Sequence, residues 1–176
     1  MSGHNKWSKI KHKKGAEDAR KSKIFSRLSK LITAESKMAN GDVNSPALAT
    51  AIESAKKENM PKDTIDRAVK KGTDADAVAM EAVVYETYGP GGVAVIIEGL
   101  TDNKNRTAAE VRHTLSKMGY ELAAPGAASW AFSKEGGEWK PNSMSPVSES
   151  DGEKLGRLID AIEELEDVQG VYNNAE

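Results

Sequence analysis

An α+β fold is predicted for this sequence: an N-terminal three-helix bundle followed by a two-layer α+β domain with a mainly antiparallel sheet. Three observations predict it. Apolar residues recur at helical spacing in three successive segments before residue 73. Beyond that point strand-like runs alternate with two helical patterns, in the order strand, strand, helix, strand, strand, helix, strand. The charge divides at the same place: residues 1–72 hold 17 Lys+Arg and 8 Asp+Glu, whereas residues 73–176 hold 8 and 19. The halves carry +9 and −11, which the net charge of −2 conceals.

Residues 1–15 are polar and basic, with Trp7 and Ile10 as the large apolar side chains. Such a run is a solvated tail by default. Trp7 with Ile10 three residues on can pin it to a neighbouring helix, and packing is the expected use of Trp7 over stacking on a base. From about Ala16 to Ala39 the pattern is helical, with Ile24, Leu28, Leu31, Ile32 and Met38 in one stripe and Phe25 at its edge. Arg20, Lys23, Arg27 and Lys30 follow the same spacing on an adjacent face, and Glu35 inside the stripe predicts that it loosens toward the helix end. After an NGDVNS loop, Ser45 and Pro46 read as N-cap and first residue of a second helix bearing Leu48, Ala51, Ile52 and Ala55. Pro61 opens a third helix with Ile65, Ala68 and Val69 inward, and Gly72 is placed to end it in a left-handed cap. Three short stripes of this kind bury one another, hence the bundle.

Residues 73–81 turn acidic and small, marking a junction, and the domains are set at 1–78 and 79–176. Ala82 to Tyr88 and Val93 to Leu100 read as strands joined by GPGG, whose glycines supply positive φ in a tight turn. No Gly-Lys-Ser/Thr follows and a strand comes next, so GPGG is not a phosphate loop. In TDNKNRTAAEVRHTLSKMG, Asn105 is the expected N-cap, Val111, Leu115 and Met118 point inward, Gly119 stops the helix and His113 is solvated. Ala127 to Ser133 is predicted as a strand with Trp130 and Phe132 on one face as core aromatics, and KEGGEWKPNS as an aperiodic junction. Ser143 to Ser148 reads as an edge strand interrupted by Pro146. Ser150 with Glu153 forms the expected capping box of the last helix, which carries Leu155, Leu158, Ile159, Ile162 and Leu165. Val168 to Tyr172 closes the chain as a strand.

The absence of cysteine excludes disulfides, thiolate metal sites and cysteine nucleophiles and fits a reducing cytoplasm. The longest apolar run, VAVII at 93–97, is far short of a membrane span, and the basic N-terminus has no apolar segment behind it, so neither a membrane partner nor a secretory signal is expected. His4 and His12 have no carboxylate or cysteine partners for a zinc site or a triad, no Gly-x-Ser-x-Gly elbow occurs, and Glu163, Glu164, Glu166 and Asp167 diverge around a helix end. Neither catalysis nor a cofactor is expected. The positive chemistry is cationic. Lys6, Lys9, Lys11, His12, Lys13 and Lys14, continued by Arg20, Lys23, Arg27 and Lys30, are the candidate nucleic-acid-binding residues, with Lys62, Arg67, Lys70 and Lys71 adding to the positive surface.

GHNKWSKIKHKKGAEDARKSKIFSRL, NMPKDTIDRAVKKG, YETYGPGGVAVIIEGLTDNKNRTAAEVRHTL and LEDVQGVYNNAE, in that order, resemble the signature blocks of the YebC/PmpR family. That family comprises probable transcriptional regulators and includes the mitochondrial translational activators of cytochrome oxidase. The resemblance implies a cytoplasmic nucleic-acid-binding regulator of DNA, or alternatively a translation factor on ribosomal RNA. Members usually carry one further small α+β domain, which the chain lacks near residues 134–143, where Phe132 reaches Val147 through only KEGGEWKPNSMSP. Self-association through the oppositely charged halves is a further expectation, and no base-reading constellation stands out that would define a DNA sequence.

Overall fold

The computed structural model describes residues 14–176. They divide between Glu81 and Ala82 into two compact units.

The first unit holds three helices, α1 (Lys14–Met38), α2 (Pro46–Lys57) and α3 (Lys62–Thr73). Its core is Ile32, Leu48, Ala51, Ala55, Met60, Ile65 and Ala68, with Phe25, Leu28, Leu31, Ile52 and Val69 packed around it. Burying each large aliphatic side chain contributes roughly 1.5–3 kcal/mol, so the expected stripes account for the bundle. Three details differ from expectation. Met38 is 81% exposed, while Ser36, near the end of α1, is completely buried. Ser45 occupies the N-cap of α2, but its side chain makes no capping bond. Gly72 does not end α3 in a left-handed cap; it lies buried within the helix, and Asp74 ends α3 in extended conformation. The reason is α1, whose backbone passes too close for any side chain at that position.

The second unit is built on a four-stranded sheet of order β3-β1-β2-β6, from β1 (Glu81–Tyr88), β2 (Ala94–Thr101), β3 (Leu122–Ala123) and β6 (Val168–Asn173). Strand β2 pairs antiparallel with β6, Val95 opposite Asn173 and Ile97 opposite Val171, until the register shifts at Glu98/Gly99. Gly91 and Gly92 adopt φ of 69° and 77° in the GPGG turn, as that turn requires. Alternation along β2 divides its side chains between two cores. Val93, Val95 and Ile97 pack with Val111 and Leu115 of α4 (Lys104–Lys117) and with Leu155, Leu158, Ile159 and Ile162 of α5 (Glu149–Glu163). Ala94 and Ile96 pack on the other face with Ala128, Ala131, Phe132 and Tyr172. A run apolar at every position is what burial on both faces demands.

That second face is covered by an unexpected element, a hairpin of β4 (Phe132–Glu135) and β5 (Glu138–Pro141). The segment read as an aperiodic junction is its turn: Gly136 and Gly137 have φ of 58° and 86°, the double left-handed conformation of the tightest hairpin connection. Residues 127–133 are not one strand. A 3₁₀ turn at Ser129–Ala131 precedes β4, so Trp130 is turned outward, 63% exposed, while Phe132 goes inward. Phe132 meets Trp139 edge to face, with ring centroids 6.4 Å apart. Residues 143–148 supply only one bridge, Ser145 to Ala175.

Both helix starts lie two residues before the expected caps. Asn103, not Asn105, accepts from the Arg106 N–H, and Ser148, not Ser150, accepts from the Asp151 N–H. Gly119 ends α4 with φ of 87°, and His113 is exposed.

Candidate nucleic-acid interface

Helix α1 carries Arg20, Lys23, Arg27 and Lys30 at intervals of three and four residues, so their side chains leave along one ridge. Arg20 is exposed, as is Lys21 beside it. Lys23, Arg27 and Lys30 are half-buried, and each interacts with other groups of the protein. Their stems therefore lie against the bundle, the usual arrangement of long cationic side chains over apolar surface. Lys14 is the first residue of the helix, whereas Lys6, Lys9, Lys11, His12 and Lys13 lie outside the described residues.

The ridge is fixed by the packing of α1 on α3. The Thr33 hydroxyl donates to the carbonyls of Ser29 and, at 3.2 Å, of Ala68. The buried Ser36 hydroxyl donates to the Val69 carbonyl at 2.6 Å. Lys37 Nζ bonds the Ala77 carbonyl, tying the chain after α3 to the last turn of α1. Sequence reasoning missed these three anchors because serine, threonine and lysine do not register in an apolar periodicity.

Helix α3 exposes Lys62, Arg67, Lys70 and Lys71, with Asp63 and Asp66 among them. The Arg67 guanidinium is folded onto its own helix, donating to the Asp63 carbonyl at 3.2 Å and the Thr64 hydroxyl at 3.3 Å. It has donors to spare, since a guanidinium has five.

The second unit contains three polar constellations. In the first, the Glu86 carboxylate is buried and accepts backbone N–H bonds from Gly126, Ala128 and Ser129 at 2.6–2.8 Å. Burial pushes its pKa up, but the three N–H groups outweigh burial and hold it below the ordinary value of 4.5. In the second, Asp167 accepts from Arg106 at 2.9 Å, from Thr107 at 2.6 Å and from Thr101 at 3.2 Å. The Arg106 pKa rises accordingly, chiefly through its bonds to Asp167 and Asp102. In the third, Glu98 receives Lys134 Nζ at 2.7 Å and Trp139 Nε1 at 2.8 Å on one oxygen. Burial, then the neighbouring Glu98 and Glu138, push the Tyr172 phenol up to about 12.

These constellations tie loops and helix starts to the sheet. Among the described residues no group of three or more His, Asp or Glu could hold a metal ion, and no helix is long and apolar enough to cross a membrane.

The family models cover the chain in sequence order. Residues 5–75 match the TACO1/YebC protein N-terminal domain. Residues 80–138 and 137–175 match the TACO1/YebC second and third domain in two pieces. The pieces meet at the turn between β4 and β5. A probable transcriptional regulatory protein of Desulfatibacillum aliphaticivorans is 57% identical over 138 residues, covering 77% of the chain and 56% of the relative, so the chain spans about half the length of such relatives. Another probable transcriptional regulatory protein, from Fervidobacterium nodosum, is 38% identical with 99% of the chain and 93% of the relative covered. That alignment is 236 positions long against 176 residues of chain, so it includes positions that the chain does not have. Among solved structures, a conserved hypothetical protein, Aq1575 from Aquifex aeolicus, superposes with a TM-score of 0.79 at 33% identity, covering 97% of this chain and 96% of that one. Two domain models in register, with a relative matched almost end to end, establish that the chain belongs to the TACO1/YebC family, whose curated relatives here are named probable transcriptional regulatory proteins.

Proposed function

We propose that the chain is a non-catalytic, cytoplasmic regulator that binds DNA through its basic N-terminal helical domain, residues 1–78, with residues 79–176 forming the α+β domain. The observation that carries this reading is the cationic ridge on α1, four residues long and continuous in sequence with Lys6 to Lys14. A line of cations at about 5–6 Å spacing is matched to the repeated charges of a phosphate backbone, and contacts of this kind position a protein on nucleic acid without reading bases. The names of the relatives support a regulatory role.

The test is binding of the purified chain to duplex DNA and to structured RNA over a range of salt, together with sedimentation of cell extract through a sucrose gradient. The proposal expects duplex binding whose logarithm falls linearly with log[salt]. Co-sedimentation with ribosomes and preference for RNA would move the same surface to a translation factor. No affinity for either at low salt would remove the nucleic-acid reading.

A further inference from the structure

Trp130 exposes 63% of its surface, yet it is held in place. Its indole N–H donates to the Tyr88 hydroxyl at 2.8 Å, and the Tyr88 O–H donates to the Ala127 carbonyl. The backbone leading up to Trp130 is fixed by Glu86, which takes the N–H groups of Gly126, Ala128 and Ser129. Alternation along β1 puts Val84, Glu86 and Tyr88 on one side of the strand, and Val84 and Tyr88 are 44% and 39% exposed.

The chemistry of this surface is narrow. The polar edges of both rings are satisfied inside the protein, leaving apolar, electron-rich faces for a partner. The order of the loop is already established, so a partner need not supply it. The unit that carries this surface is negative as a whole: residues 82–176 hold 8 Lys+Arg against 16 Asp+Glu, and Glu86, with its depressed pKa, is ionised at neutral pH beneath the loop. A nucleic-acid strand stacking here would bring its phosphates to a unit of net negative charge. A planar cation suits both features, because a guanidinium stacks on an aromatic face and is drawn by the acidic field.

We propose that Trp130 and Tyr88, on the loop clamped by Glu86, form a docking surface for an arginine-bearing basic segment of a partner protein. The surface lies wholly within the α+β unit and does not depend on nucleic-acid binding by the helical one.

The experiment titrates the isotope-labelled full chain with an alternating Gly-Arg peptide, its Gly-Lys counterpart and an oligothymidylate, following the Trp130 indole N–H resonance. The arginine peptide is expected to shift that resonance and to bind several-fold more tightly than the lysine peptide. Trp130→Ala should weaken binding of the arginine peptide by about fivefold to tenfold, with Trp130→Phe between the two. Equal affinity of the Trp130→Ala variant overturns the proposal. So does a Trp130 resonance that moves with oligothymidylate and not with the arginine peptide, which would make the surface a base-stacking platform.

Discussion

A Cβ built on Gly72 would stand 2.5 Å from the Thr33 carbonyl oxygen and 2.6 Å from the Ser36 Cβ. Both obstacles belong to α1, one of them its backbone, so neither can swing aside. The cationic ridge therefore sits on a helix whose distance from α3 only glycine permits. Gly72→Ala should lose about 1–3 kcal/mol of stability through overpacking, although alanine in a helix is otherwise favoured by about 1 kcal/mol. Urea denaturation decides the matter by sign, since a midpoint equal to or above that of the parent would refute the close approach.

Glu86 supplies a pH-dependent contribution. Its folded carboxyl titrates below the ordinary 4.5, so its stabilisation is complete above that value and fades as pH falls through the lower, folded pKa. Glu86→Gln should cost roughly 2 kcal/mol at neutral pH by weakening the charge-assisted bonds. The difference in melting temperature between variant and parent should narrow as pH falls below 4.5. A constant difference across the range would show that the charge contributes nothing.

Asp167 is 2% exposed and joins the end of β2, the start of α4 and the start of β6. Asp167→Ala leaves the buried Thr101 and Thr107 hydroxyls without their carboxylate and should cost roughly 3 kcal/mol. Hydrogen exchange should quicken first in the opening turn of α4, around Arg106 and Thr107. Faster exchange confined to α5 instead would locate the effect elsewhere.

The ridge has a thermodynamic signature. Replacing Arg20, Lys23, Arg27 and Lys30 with alanine should weaken duplex binding and reduce the steepness of log K against log[salt] by about 0.9 for each phosphate contact removed. Folding should survive, because the core of the unit is formed by other residues. Weaker binding with an unaltered slope would mean that these four residues do not touch phosphate.

The sequence made the core of each unit readable where periodicity was clean. Ile32, Leu48 and Ile65 lie inward as helical spacing predicts, and the strand expected over 93–100 forms, but its burial on both faces is a finding of the structure. Failures arose where two rules competed. Strand alternation predicts Trp130 inward with Phe132, but the 3₁₀ turn before Phe132 changes the phase, and Ala128 and Ala131 take the interior. Asn105 and Ser150 are the expected caps and Asn103 and Ser148 the observed ones, since several polar residues precede each helix and only backbone geometry selects among them. Gly72 reads as a terminator because glycine suits a left-handed cap, yet helix-to-helix distance is a tertiary quantity with no local trace. Gly136-Gly137 is a two-residue hairpin signal, but the charged residues flanking it lack strand alternation and so read as a junction. For the candidate interface, the spacing of Arg20 to Lys30 was legible; the hydroxyl bonds that orient the ridge were not.

At the tip of the β4 and β5 hairpin the polypeptide departs from the sheet and returns within about 5 Å, the distance between paired strands. Glu135 faces Glu138 immediately below that tip, and Phe132 and Trp139 close the interior further down. Anything grafted there hangs outside a ladder that is already complete, so the fold beneath is indifferent to its size. The two pieces of the family match meet at this tip, so a difference in length taken up there would leave the pairing from Phe132–Pro141 to Glu135–Glu138 intact.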